Sequence, residues 1–206
     1  MLIGVAGAAV LVGAPVCLAG RTVGADPAGL RAVVEAAVVE ERLGPRLAVA
    51  LLAHAGHRTT QVAIGQTMLR VNPEHPEEGR QWLERAARQG DARAAYALAL
   101  SLRSEGGRAR EAALPWLEQA ATGGVAAAHF LLGNAYREGE GVAVDFARAI
   151  RSYEVAAEQE NPQAIQTLAE AYRSGELGLA RDPERAEALM RDLEHAVHEQ
   201  RPVVAW

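Results

Sequence analysis

Residues 131–150 read LLGNAYREGEGVAVDFARAI: a leucine pair beside a glycine, then Tyr136, then Gly139 and Gly141 ahead of Asp145 and a second apolar run. A glycine inside a helix weakens it by about 1 kcal/mol relative to alanine, so Gly133 needs a reason to stand there. The rest of the chain supplies one. Ile64-Gly65, Leu98-Ala99, Leu132-Gly133 and Leu168-Ala169 each set a large aliphatic residue before a small one, at steps of 34, 34 and 36 residues. Four residues after each aliphatic position come Met68, Leu102, Tyr136 and Tyr172, one helical turn further along the same face. In the first three cases a second apolar segment follows: Trp82-Leu83 with Ala86-Ala87, Trp116-Leu117 with Ala120-Ala121, and Tyr153 with Ala156-Ala157. A period of about 34–37 residues built from two short amphipathic helices specifies an all-α chain, an α/α solenoid of about four to five stacked helix pairs, because no pair buries its apolar face alone. Small residues at all four equivalent sites then let neighbouring helices approach closely.

The connections fit this scheme. Gly139 and Gly141 supply the positive φ that ends a first helix, and Asp145 is placed as N-cap of the segment beginning at Phe146. Asp182-Pro183-Glu184 does the same in the last unit, with Pro at the first helical position and an acid in the first turn. Pro115 conflicts with the scheme, because it falls inside a second helix and is expected to kink it or delay its start.

Composition narrows the function classes. Half of the 206 residues are apolar but only 4% are aromatic, which favours closely packed helices over sheets. Net charge is −5, from 26 acidic residues against 21 basic ones, and no basic block is present to track a phosphate backbone, so nucleic acid is not an expected partner. All 21 basic residues are arginine, which removes lysine-based chemistry: Schiff bases, Ser-x-x-Lys nucleophiles and Walker loops. No Gly-x-Ser-x-Gly elbow occurs, and the Gly139–Gly141 turn follows a helix, so it is not a phosphate cradle. His54 with His57, and His195 with His198, share i, i+3 spacing but have no cysteine or HExxH pattern to complete a metal site, and His129 falls in a first-helix pattern as a packed residue. The expectation is no metal, no cofactor and no enzyme.

Residues 2–19, LIGVAGAAVLVGAPVCLA, form an uncharged apolar run of secretory type, with Val23-Gly24-Ala25 offering small residues for cleavage before Asp26. No Arg precedes the run, so an uncleaved membrane anchor over residues 1–25 is the alternative, and a buried helix a third. Cleavage would remove Cys17, the one cysteine, and leave a chain without disulfides. The expected location is periplasmic or secreted, or else membrane-anchored.

Leu132-Gly133-x-x-Tyr136-x-x-Gly139-x-Gly141-Val142-x-x-Asp145-x-x-x-Ala149-x-x-x-Tyr153-x-x-Ala156-Ala157 closely resembles a whole unit of the Sel-one-like repeat, a subclass of the tetratricopeptide-type helix pair. Residues 164–196 follow the pattern with an extra loop residue, whereas residues 60–127 have shorter loops and look more like ordinary tetratricopeptide units. Stepping the register back by 34 residues takes Ile64 to Leu30 and Gly90 to Gly56, so residues 26–59 read as a degenerate capping pair, residues 60–196 as the repeats and residues 197–206 as a tail. In that tail, RPVVAW (201–206) follows a helix that Pro202 ends, and it reads as a cover for the last unit.

The resemblance implies a protein–protein interaction scaffold of the bacterial cell envelope, with a partner bound in the concave groove that first helices line. The position after the Met/Leu/Tyr site holds Leu69, Arg103, Arg137 and Arg173, three arginines in register. Guanidinium groups in that arrangement suit a carboxylate-bearing partner such as an acidic peptide. Asn134 lies about one turn before Arg137, Phe130 a further turn back, and Tyr96 is its equivalent in the previous unit. The candidate partner-binding residues are therefore Tyr96, Arg103, Phe130, Asn134, Arg137 and Arg173. Against this stands the plainer reading that arginines occupy solvated helix faces. A glycan or small-molecule carboxylate binder, with a uronate-containing glycan as ligand and a place in exopolysaccharide export, is the alternative. A hydrolase like the β-lactamases attributed to cysteine-rich relatives is a third reading that no triad supports.

Overall fold

The computed structural model describes residues 16–18, 21–23, 50, 52–54 and 56–199, with side chains for residues 50, 52–54 and 56–194. Most of residues 1–49 and all of 200–206 lie outside this range. So do the cleavage site at Ala25, most of the degenerate capping pair, the RPVVAW tail and the side chains of His195 and His198.

The described residues form an α/α solenoid fold of eight helices in four pairs: α1 (Arg58–Val71) with α2 (Glu77–Arg88), α3 (Ala92–Glu105) with α4 (Arg108–Thr122), α5 (Ala126–Glu138) with α6 (Phe146–Glu158), and α7 (Pro162–Ser174) with α8 (Pro183–Glu199). Apart from the helices, Val16–Leu18 (β1) pairs antiparallel with Arg21–Val23 (β2), Val16 standing opposite Val23. The chain divides into two compact units between Gln89 and Gly90. In the first, α1 packs on α2; in the second, the members of each pair pack together and α4 meets α5 as α6 meets α7.

Alanine dominates the core, and its three largest fully buried side chains are Leu83, Leu117 and Tyr153. These occupy one equivalent position in three successive second helices, and the small residues of the first helices face them. A Cβ added to Gly65 would stand 2.7 Å from Leu83 Cγ and 2.8 Å from the Gly79 carbonyl; one added to Gly133 would stand 2.5 Å from Tyr153 Cδ1 and 2.9 Å from Cζ. Gly65 thus lets a neighbouring backbone approach, whereas Gly133 makes room for a phenol ring. In unit two the same register holds Ala99 and Leu117, both buried.

The ends of the second helices repeat one turn. Gly124 N–H donates to Ala121 and Val125 N–H to Ala120; Glu160 and Asn161 do the same to Ala157 and Ala156. Gly56 and His57 donate to Ala53 and Leu52 in the same way, closing the helical residues 52–54. This turn needs a left-handed residue, which Gly56, Gly90 and Gly124 supply, while Glu160 holds it at φ +58° without being glycine. Glu160→Gly is therefore expected to raise stability by about 1 kcal/mol, the approximate left-handed penalty of an L-residue; a urea titration checks it.

Pro115 does not delay its helix, which corrects the expectation of a late start: α4 begins at Arg108 and runs through the proline to Thr122. The lost N–H removes the i+4 donor to the Glu111 carbonyl, and the proline itself is exposed, so its ring meets solvent rather than a packed neighbour.

Candidate functional site

The first-helix arginines are held by different partners. Arg103 donates from Nη2 to Glu140 Oε2 at 2.7 Å and from Nη1 to the Leu131 carbonyl at 3.3 Å. Arg110 reaches the other oxygen of Glu140 at 3.0 Å. Glu140 stands between Gly139 and Gly141 in the loop joining α5 to α6, so one carboxylate ties this loop to both helices of the preceding pair. The side chains of Arg103 and Glu140 are 20% and 16% exposed. Exposed ion pairs contribute under about 1 kcal/mol, whereas breaking a buried one costs about 3–5. Glu140→Ala is expected to lie between, near 2 kcal/mol of lost stability, whereas Glu84→Ala, which removes the exposed Arg88–Glu84 pair of α2, is expected to lose less than about 0.5 kcal/mol. Paired urea titrations compare them.

Further along, Arg137 donates to its chain neighbour Glu138, and Arg173 to Glu170 at 2.8 Å one turn earlier. The Glu138 hydrogen bond raises the Arg137 pKa first, with Tyr153, Glu138 and Glu176 adding charge attraction against burial. Glu176 follows Gly175 as Glu140 follows Gly139, so the next loop again brings an acid toward a first-helix arginine.

Phe130, Asn134 and Arg137 are brought together around Tyr153. The Tyr153 hydroxyl donates to Asn134 Oδ1 at 2.7 Å, and its ring lies 5.8 Å, centroid to centroid, from Phe130. Burial pushes the phenol up to about 12, with Arg137 opposing. A pKa raised in the folded state means that stability is full below the ordinary tyrosine value of about 10 and is lost as pH climbs through the folded value. Thermal melts are therefore expected to hold steady up to about pH 10 and to fall between about 10 and 12, with Tyr153→Phe blunting the fall. Tyr96 on α3 is half-buried, its phenol also raised by burial, with Arg103 near enough to oppose. The repeat pattern marks Tyr153 as a packing residue but not as the centre of this cluster, and it does not mark Glu140 or Glu176. The signal that points to the acids is their recurrence directly after the glycines that cap α5 and α7.

Among the described residues no cluster of His, Cys, Asp or Glu has the grouping of a metal site, and no helix is long and apolar enough to cross a membrane.

The Sel1 repeat profile matches residues 65–91, 92–125, 126–161 and 162–191, more than half of the chain. The chain belongs to the Sel1 repeat family. Each Sel1 match from 92 onward begins on or beside the first residue of a first helix, so the repeats and the helix pairs coincide. Among solved structures, a Sel1 repeat protein from Oxalobacter formigenes is similar, with TM-score 0.64 at 22% identity, over 82% of this chain and 73% of that one. The c5321 protein, a protective antigen of uropathogenic Escherichia coli with an SLR fold, aligns with TM-score 0.63 at 23% identity, over 86% of this chain but only 42% of its own length. At such identity these likenesses show the fold. No curated protein matches the sequence. Sel1 repeats generally mediate protein–protein interaction and generally act as non-catalytic scaffolds.

Proposed function

We propose that this Sel1 repeat chain is an exported scaffold of the bacterial envelope that binds an acidic segment of a protein partner across its first helices, with Arg137 and Arg173 as the charged contacts. The observation that carries the reading is the state of these two side chains. They are 37% and 54% exposed and are paired with acids of their own helices, Glu138 and Glu170. Such exposed pairs are worth under about 1 kcal/mol, so a partner's carboxylates can replace them at little cost. Arg103 differs: it has its own half-shielded carboxylate in Glu140 and serves by holding the helices that carry the others. Export rests on the apolar run 2–19 and the small residues before Asp26.

The test is a crosslinking pull-down from the native host, comparing wild type with Arg137→Glu/Arg173→Glu, with circular dichroism confirming helicity and intact mass reporting cleavage after Ala25. Loss of a wild-type partner from the double variant supports the reading. Equal capture by both proteins overturns the arginine contact.

A further inference from the structure

A pocket of about 410 Å³ opens in the second unit, between α4 and α6 and with α5 residues as its floor. It uses none of the first-helix arginines discussed above. Its walls differ in character. From α6 come Arg148 and Arg151, one turn apart; the floor carries Leu132 and Tyr136, with Val155 beside them; Glu118 lies on the α4 side.

The two guanidinium groups are not equally engaged. Arg148 stands over the Tyr136 ring at 5.5 Å and meets Asp145 at 3.3 Å, which fixes its place at the rim. Arg151 has no carboxylate partner among the described residues. A cation without a counterion next to an arginine fixed by stacking, with Leu132 and Val155 as the aliphatic part of the lining, matches a ligand with a carboxylate at one end and a short branched chain at the other. His129 adds to the lining, its pKa lowered by burial against a hydrogen bond to the Ala121 backbone. Glu118, on α4 and near enough to attract Arg148, leaves Arg151 as the free guanidinium, disfavours a second carboxylate and favours a ligand with an N–H group beside it.

We propose that this pocket binds the free carboxylate of a chain end with a branched aliphatic side group, Arg151 and Arg148 gripping the carboxylate while the side group lies on Leu132 and Val155. A peptide C-terminus ending in leucine or valine and a free branched acid share this chemistry, and the probes below separate them.

The experiment titrates the whole chain with N-acetyl-leucine, N-acetyl-leucinamide and 4-methylpentanoate, following amide shifts by nuclear magnetic resonance. The proposal expects N-acetyl-leucine to shift the α4–α6 amides and the amide analogue to bind at least about tenfold more weakly, the scale of one lost charge-assisted contact. Arg151→Gln is expected to lose a similar factor, with Arg88→Gln, on α2 and outside the pocket, unchanged. Binding of N-acetyl-leucine well above 4-methylpentanoate assigns the site to peptide ends; equal binding assigns it to free acids. Equal binding of acid and amide, or no shift of pocket amides with any probe, overturns the proposal.

Discussion

Gly133→Ala is expected to lower stability by about 2 kcal/mol, and adding Tyr153→Leu to the same chain is expected to restore most of it. Helix propensity alone predicts the opposite, a gain of about 1 kcal/mol for replacing an interior glycine. The larger effect decides. An added methyl would overlap the Tyr153 ring, with Cδ1 at 2.5 Å, and that ring cannot withdraw, because it is fully buried and its hydroxyl is tied to Asn134. Overpacking of this kind costs about 1–3 kcal/mol, occasionally more. Tyr153→Leu alone is expected to lose about 2–3 kcal/mol, from the cavity left by the ring and the missing partner of Asn134. The double variant reproduces the Ala99–Leu117 combination that the preceding pair already uses. A double-mutant cycle by urea unfolding should therefore give a coupling energy of about 4 kcal/mol, the two single losses together less the small residual loss of the double variant. Additive losses would mean that the two positions do not share one packing space.

Gly141→Ala is expected to lose about 3 kcal/mol, well beyond the roughly 1 kcal/mol expected for Gly139→Ala. Both glycines have left-handed backbones, at φ +72° and +73°, so each alanine carries the same conformational penalty of about 1 kcal/mol. Their surroundings differ. A Cβ at Gly139 would meet the Val144 side chain at 3.0 Å, which can turn aside, but one at Gly141 would stand 2.8 Å from both Cα and N of Glu111. The backbone of α4 cannot move without shifting the helix. The excess loss at Gly141 measures how tightly this loop docks on the preceding pair, and it should appear in hydrogen exchange as faster exchange at the ends of α4 and α5. Equal losses at the two glycines would assign them both to turn geometry alone.

The part of the fold that was readable from the sequence is the part written in local chemistry. Asp145 and Asp182 cap their helices as the pattern requires, accepting from Arg148 and Arg185 N–H at 2.9 and 3.0 Å. The 34- to 36-residue spacing of large and small residues places Leu83, Leu117 and Tyr153 correctly in the core. Pro115 does not delay the start of its helix, because an exposed proline inside a helix that packs on two neighbours removes one hydrogen bond and leaves the turns before it intact.

The site was less legible. Arg103, Arg137 and Arg173 are equivalent in sequence and lie at the same step of each pair, yet only Arg103 has a shielded carboxylate across 37 residues, at Glu140. The sequence by itself determined the period, the helix ends and the small-against-large pairing, since each depends on residues within a turn or on a repeat that every unit must satisfy to bury its face. Only the tertiary structure decided which acid meets which arginine, that Tyr153 would gather Phe130 and Asn134 around it, and where a pocket opens between α4 and α6. Those contacts depend on how far each loop reaches over the pair before it, and one added residue or a different side-chain rotamer changes that reach without changing the repeat.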